Sequence, residues 1–332
     1  MCGRTILQHV KAIIPRLKPE YHKGQAGRVG VIGGSRDYTG APFYASMSSM
    51  RLGCDMTLTF CAPEAALPIK SYSPDLIVQP VMDCDMAPED VRSMFRSLFA
   101  RLHSLVIGPG LGRDPGMQNL ARIAIEVARE ENIYVVIDAD GLWLLQNAPE
   151  VIQGYRRAVL TPNVVEFARL CKSLVRYMHY LPQNIDQTDQ DTAAQKLSQA
   201  LGGATILEKG PVDRIATADE LLVSDIQGGL KRCGGQGDLL SGSLGTFLAW
   251  AKRYEETRDE LPEGERISSE RLPALAAFGA SSIARTASHL GFTRLGRSML
   301  ADDLLGDIGS AYERYVSFPI DCSLFGDRDA QL

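Results

Sequence analysis

Residues 104–145 read SLVIGPGLGRDPGMQNLARIAIEVAREENIYVVIDADGLWLL, and this stretch decides the fold. Two short, nearly all-apolar runs, Ser104–Ile107 and Ile133–Ile137, flank a helical pattern over Pro115–Glu131. Strands apolar on both faces belong in a sheet covered on both sides, and two of them joined by a helix lie parallel with a right-handed crossover. The alternation continues in both directions. Upstream it places strands at Arg28–Ile32, Met56–Phe60 and Asp75–Val78, with helices at Pro42–Leu52 and Pro88–Leu102. Downstream come strands at Ala158–Leu160 and Thr205–Leu207, with helices at Asp140–Gln146, Asn163–Cys171 and Thr192–Leu201. After Asp238 the pattern turns mainly helical, broken by the charged KRYEETRDELPEGERISSER of Lys252–Arg271, which reads as an exposed insertion between two helices. No internal repeat and no linker divide the 332 residues, so one large α/β domain is expected. An N-terminal helix within residues 1–22 carries Ile6, Val10, Ile13, Ile14 and Leu17 on one face, and residues 318–332 form a tail.

Ligands of open α/β sheets bind beyond the carboxyl ends of the strands. The polar and glycine-rich motifs of this chain collect there. Arg28–Ile32 leads into GGSRDYTGAP, Ser104–Ile107 into GPGLGRD, Ile133–Ile137 into DADG, Ala158–Leu160 into TPN, and Thr205–Leu207 into EKG. Five such loops on one edge make a cleft. A further element, Gly234-Gly235-Gln236-Gly237-Asp238, opens the helix LLSGSLG. Glycines let the main chain turn tightly and aim several N–H groups at one point, where the helix dipole adds positive potential. This is a cradle for a phosphate or an oxyanion. Asp238 at the helix start either takes a proton from a hydroxyl as a phosphoryl group arrives, or only complements the dipole.

Other positions carry two readings each. Asn163 and Glu166 have the spacing of a capping box, which needs no ligand, although a Glu near a phosphate can also hold a metal through water. Asp140 caps the following helix or serves the cleft. Lys209 steers a nucleotide phosphate or is a solvated surface residue, and Gly110 and Gly112 are turn residues or ligand contacts.

Composition narrows the function. The chain is 45% apolar and 23% charged with a formal net charge of −5, which suits a soluble globular protein and argues against a polyanion-wrapping surface. No apolar run reaches bilayer length. Nucleic acid and membrane are therefore not expected partners. Seven scattered cysteines without a CxxC pair, and five separated histidines, speak against a disulfide framework, a zinc site and His-based catalysis. The N-terminus lacks a secretory core, so a reducing, cytoplasmic home is expected, with a mitochondrial pool as the lesser reading of its four basic residues. The P-loop, the GxGxxG dinucleotide fingerprint, the GxSxG elbow, HExxH and the kinase signatures are all missing.

The ordered set KGQAGRVGVIGGSRDYTGAP (23–42), VIGPGLGRD (106–114), VVIDADGLWLL (135–145), LTPNVVEFARL (160–170), LEKGPVDRI (207–215), GGQGDLLSGSLG (234–245) and DLLGDIG (303–309) resembles the ATP- or ADP-dependent NAD(P)H-hydrate dehydratases. That branch of the ribokinase-like superfamily implies an α/β three-layer sandwich, with a mostly parallel central sheet between helices. It also implies a lyase that phosphorylates the ring hydroxyl of the S form of hydrated NADH or NADPH (NADHX, NADPHX). Loss of phosphate then regenerates the dihydropyridine.

By resemblance Asp238 is the catalytic base and faces that hydroxyl. Gly110 and the run Asn163, Val164, Val165, Glu166, Phe167, Ala168 and Arg169 belong to the hydrate side. Lys209, Gly210, Pro211, Val212 and Asp213 belong to the nucleotide side, together with Gly228, Gly229, Leu230, Lys231, Arg232, Cys233, Gly234, Gly235, Gln236 and Gly237. The implied cofactors are ATP and Mg²⁺, with ATP preferred over ADP because the CGGQGDLLSG stretch is closer to eukaryotic members. Only about twenty residues precede the first motif, so a separate NAD(P)H-hydrate epimerase is the implied functional partner. Pairing of two copies through the long C-terminal helices is left open. The competing readings are a ribokinase-like kinase of a vitamin alcohol and a non-catalytic nucleotide sensor. A sensor has no need of Asp238.

Overall fold

The structure, a computed structural model, describes residues 3–20, 22–177 and 190–316. Among the described residues nine strands form one sheet: β1 (Arg28–Ile32), β2 (Met56–Phe60), β3 (Ile77–Gln79), β4 (Ser104–Ile107), β5 (Tyr134–Ile137), β6 (Ala158–Leu160), β7 (Thr205–Glu208), β8 (Asp213–Ala216) and β9 (Leu221–Ser224). Their order is β3-β2-β1-β4-β5-β6-β7-β8-β9, parallel through β7 and antiparallel for the last two. The mostly parallel sheet read from the sequence is therefore present. The inner strands β4, β5 and β6 are buried at every residue, as strands sandwiched between helices must be.

The helices are α1 (Gly3–Ile13), α2 (Gly40–Leu52), α3 (Pro63–Tyr72), α4 (Pro88–Phe99), α5 (Pro115–Glu130), α6 (Asp140–Asn147), α7 (Val164–Tyr177), α8 (Gln190–Ala200), α9 (Gln236–Thr257), α10 (Leu272–Leu295) and α11 (Ala301–Val316). On one face α9 lies across β1, β4 and β5, with α2 and α10 beside it, while α5 and α8 pack on the sheet from the other side. Small residues let α9 sit close. A β-carbon on Gly242 would stand 2.0 Å from the Ala45 carbonyl oxygen, and one on Gly245 would meet Val106 and Val29 within 3 Å. Hydroxyls tie this seam: Ser49 Oγ donates to the Gly242 carbonyl (2.7 Å) and Ser104 Oγ to that of Gly245 (2.7 Å).

Local expectations change in five places. Helix α1 ends at Ile13, ahead of Pro15, so Leu17 does not join its apolar face and is 84% exposed. Strand β3 begins at Ile77, because Asp75 is drawn into a turn by Ser73 Oγ. Helix α3 and the β8–β9 hairpin were not foreseen. Pro68 inside α3 hides a helix, and the hairpin strands are only four residues each around a Thr217–Glu220 turn. Lys252–Arg271 is exposed at most positions and its second part lies between α9 and α10, but its first six residues continue α9. Beyond them Ile267 is buried with its N–H on Tyr254 Oη (3.0 Å), Arg258 donates to Ser269 Oγ (2.7 Å), and Arg271 pairs with Glu220 (2.8 Å). The tail from 318 onward lies outside the described residues.

Candidate active site

The carboxyl ends of β5, β6 and β7 and the start of α9 enclose a cleft of about 750 Å³. Gly235 caps α9 with φ 93°, a left-handed turn that glycine adopts at no steric cost. A β-carbon there would stand 2.6 Å from Ala301 Cβ. The first i→i−4 bond of the helix runs from Leu239 N–H to Gly235 (3.0 Å). The N–H groups of 236–238 therefore lie among the unpaired donors of a helix start, where the dipole is positive. The side of that first turn touches a cation, since a β-carbon on Gly237 would stand 3.5 Å from Lys209 Nζ.

Lys209 is held by Asp138. Its Nζ lies 3.0 Å from Asp138 Oδ1, which also accepts the Thr161 hydroxyl at 2.8 Å. Asp138 is 2% exposed, and a carboxylate so deep persists only when paired. Burial alone would lower the Lys209 pKa, but Asp138, Glu166 and Asp238 together hold it above its usual value. Asp238, in the first turn of α9, keeps some open surface yet is enclosed by cleft walls. Burial first, then the negative charge of Asp138, pushes it up to about 8, against the pull of Lys209. The result is a carboxyl poised near neutrality beneath an anion cradle.

The capping-box reading of Asn163 and Glu166 is realised. Asn163 Oδ1 accepts the N–H groups of Val165 and Glu166 at 3.0 Å each, and Glu166 Oε2 accepts the Asn163 N–H at 2.8 Å. Both residues also line the cleft, so cap and wall coincide. Burial raises the Glu166 pKa, with Lys209 opposing. Asp140 does not cap α6. Ala139 precedes it with φ 47°, and the Asp140 carboxylate turns back to the Gly112 N–H (2.9 Å) and Arg113 (3.4 Å), bracing the loop after β4.

The opposite wall is built from α10. Asp213 is buried with both oxygens engaged, Oδ1 by Gly210 N–H (3.0 Å) and Arg285 (3.0 Å), Oδ2 by Ser281 Oγ (2.7 Å). Ser288 Oγ accepts the Gly229 N–H at 3.2 Å. Ala284, Ala287, Leu304 and Ile308 add an apolar strip opposite the polar end.

A profile described as NAD(P)H-hydrate dehydratase matches residues 29–309. The chain belongs to that family. A relative from Mycosarcoma maydis, named ATP-dependent (S)-NAD(P)H-hydrate dehydratase, is 55% identical over 93% of this chain and 88% of its own. The relative of the same name from Homo sapiens is 44% identical over 93% of this chain and 84% of its own. Among solved structures, a ribokinase-like superfamily protein from Enterococcus faecalis superposes with a TM-score of 0.69, 20% identity and coverage of 94% and 95%. The ADP/ATP-dependent NAD(P)H-hydrate dehydratase of Bacillus subtilis, co-crystallised with ATP/Mg²⁺, gives 0.65, 20%, and 93% and 97%. These two structures show the ribokinase-like fold.

In this family member the cleft gathers Asn163, Glu166, Lys209, Gly210, Pro211, Asp213, Gly228 and the whole run Arg232–Asp238. The other candidates lie elsewhere. Phe167 is 3% exposed in the core, whereas Val164, Val165 and Arg169 face solvent on the first turns of α7. Ala168, Val212, Gly229, Leu230 and Lys231 do not line the cleft, and Leu230 is 78% exposed. Gly110 sits where the β1 and β4 loops meet, φ 63°, its carbonyl accepting Gly34 N–H (3.1 Å) and Ser35 Oγ (3.0 Å). Reading the sequence missed Asp138 and Arg285. The signal for Arg285 was its setting, the one cation in ALAAFGASSIARTASHL, where a buried guanidinium demands acceptors.

Proposed function

We propose that the protein is an ATP-dependent (S)-NAD(P)H-hydrate dehydratase, which returns hydrated NADH or NADPH to the reduced cofactor at the expense of ATP. The observation that carries this reading is the position of Asp238, on the first turn of α9 and within reach of the field of the Lys209–Asp138 pair. The name shared by relatives at 55% and 44% identity supports it over a kinase whose phosphorylated product accumulates.

Asp238 accepts the proton of the ring hydroxyl while its oxygen bonds the γ-phosphorus and the bond to the β-phosphate oxygen breaks, releasing ADP. The carbon–oxygen bond then breaks, phosphate departs with the electron pair, and loss of a ring proton restores the double bond. A carboxylate whose conjugate acid has a pKa near 8 is a stronger base than an ordinary one. Lys209 and the N–H groups at the start of α9 bear the charge on the transferring group.

A divalent ion is implied, and the donor set suits one that arrives with the nucleotide. Among the described residues no three His, Cys, Asp or Glu side chains group to hold a metal alone. Mg²⁺ on a nucleotide asks for one or two carboxylates. Asp138 and Glu166, both on the cleft and both near enough to raise Lys209, would hold it. Bound there, it supplies neutralisation of phosphate charge. An enzyme that interconverts the two hydrate epimers is the functional partner of a stereospecific dehydratase. The free thiols of Cys54, Cys61, Cys84, Cys171 and Cys233 support a cytoplasmic home.

The test is to incubate the protein with (S)-NADHX, Mg²⁺ and ATP, ADP or no nucleotide, following the dihydronicotinamide absorbance. Recovery with ATP, and its loss in Asp238→Ala, is expected. No recovery from folded protein overturns the reading.

A further inference from the structure

Arg285 projects from the middle of α10 into the wall of the cleft, its side chain 12% exposed. Nη1 donates to the Gly210 carbonyl (3.2 Å) and to Asp213 Oδ1 (3.0 Å), Nη2 to the Pro211 carbonyl, and Nε to the Ile226 carbonyl. The three carbonyls belong to two stretches without regular structure, 209–212 after β7 and 225–229 after β9, and Asp213 opens β8 directly after the first of them. Asp213 extends the network to the Gly210 N–H and to Ser281 on the same helix. A planar fork with five N–H donors is the one side chain able to serve so many acceptors around one plane; a lysine, with a single nitrogen, cannot. With most of its donors spent on protein carbonyls, Arg285 holds the wall and leaves phosphate contacts to Lys209 and the α9 start.

We infer that Arg285 is a positioning residue for the nucleotide: it sets the spacing of the 209–213 and 226–229 segments across that half of the cleft. The inference rests on the function proposed above, and it separates nucleotide affinity from chemistry. ATP with Mg²⁺ is titrated calorimetrically into wild type, Arg285→Lys and the milder Ser281→Ala, beside steady-state kinetics and thermal melts. Arg285→Lys is expected to weaken ATP binding on the order of tenfold and to raise the KM for ATP to match, since losing one or two charge-assisted bonds has that size. Its kcat and its KM for the hydrate stay at wild-type values. Ser281→Ala moves the same constants in the same direction by less.

A folded Arg285→Lys with wild-type ATP affinity, or with a lower kcat at unchanged KM, overturns the inference. If Arg285→Lys does not fold, unchanged ATP affinity in Ser281→Ala overturns it instead. A wild-type protein that binds no ATP overturns the proposed function, and this inference with it, which is a different result from an Arg285 variant that binds normally.

Discussion

At the scale of single residues, the site turns on how three charges share one small volume. Asp238 sits near 8 because burial and Asp138 oppose its ionisation while Lys209 favours it. Its kcat/KM for the hydrate should therefore climb with pH through about 8, and a flat profile across pH 6–9 would remove Asp238 from the role of base. Replacing Lys209 by Met strips away the one group that lowers the Asp238 pKa, so the acid limb moves to higher pH while turnover falls by roughly 10²-fold or more. The same imbalance costs stability. The native carboxyl titrates above its unfolded value of about 4, so the folded state binds more protons between those values and stability falls as pH rises from about 4 to 8. Asp238→Asn should flatten that slope and stabilise the protein at neutral pH by about 1–3 kcal/mol, read from urea melts at several pH values. Asp238 itself was legible because a glycine run before a helix advertises an anion cradle. Asp138 was not, because a strand-end aspartate gives no sign of the distant lysine that will claim it.

Among the elements, α9 is the most constrained. Its seat against α2 leaves no room at Gly242, and Gly242→Ala would press a methyl onto the Ala45 main-chain oxygen. The expected loss is about 1–3 kcal/mol in a denaturant melt, with activity falling too because the helix start moves with the helix. A wild-type melt would mean that α2 and α9 part more easily than their hydroxyl seam suggests. Asn163→Ala removes a cap at the start of α7 and should cost about 1 kcal/mol on that ground alone. If ATP affinity drops as well, the cap is also a wall of the nucleotide site. The strands and helices that could be read were those whose period is long and clean, such as β4, α5 and β5. The hairpin β8–β9 escaped notice because its four-residue strands gain their stability from pairing with β7 and from the underside of α10, contacts invisible along the chain. Helix α3 was concealed by Pro68, which stands in its interior and withholds one N–H from the i→i−4 ladder.

For the whole molecule, a ligand that binds only the folded cleft stabilises it by mass action. ATP at about a hundred times its Kd, with Mg²⁺, should add about 2.7 kcal/mol, and chelating the metal should abolish both that gain and turnover. A gain that persists with chelator present would show that the nucleotide is held without the ion. The global architecture was legible because strand–helix alternation admits few topologies. The antiparallel edge was not, nor was the tying of residues 252–271 to the body through Glu255 on Arg157 and Arg271 on Glu220. The hydrogen bonds that seat α9 reach back 224 residues to Ala26, 193 to Ser49 and 141 to Ser104. On a ribosome the sheet's first half is therefore synthesised long before the helix that roofs it, and β1, β4 and β5 wait with one apolar face uncovered. The nascent chain is open to chaperones throughout that interval, and a polypeptide stopped short of residue 236 has neither a roof nor the carboxylate the reaction turns on.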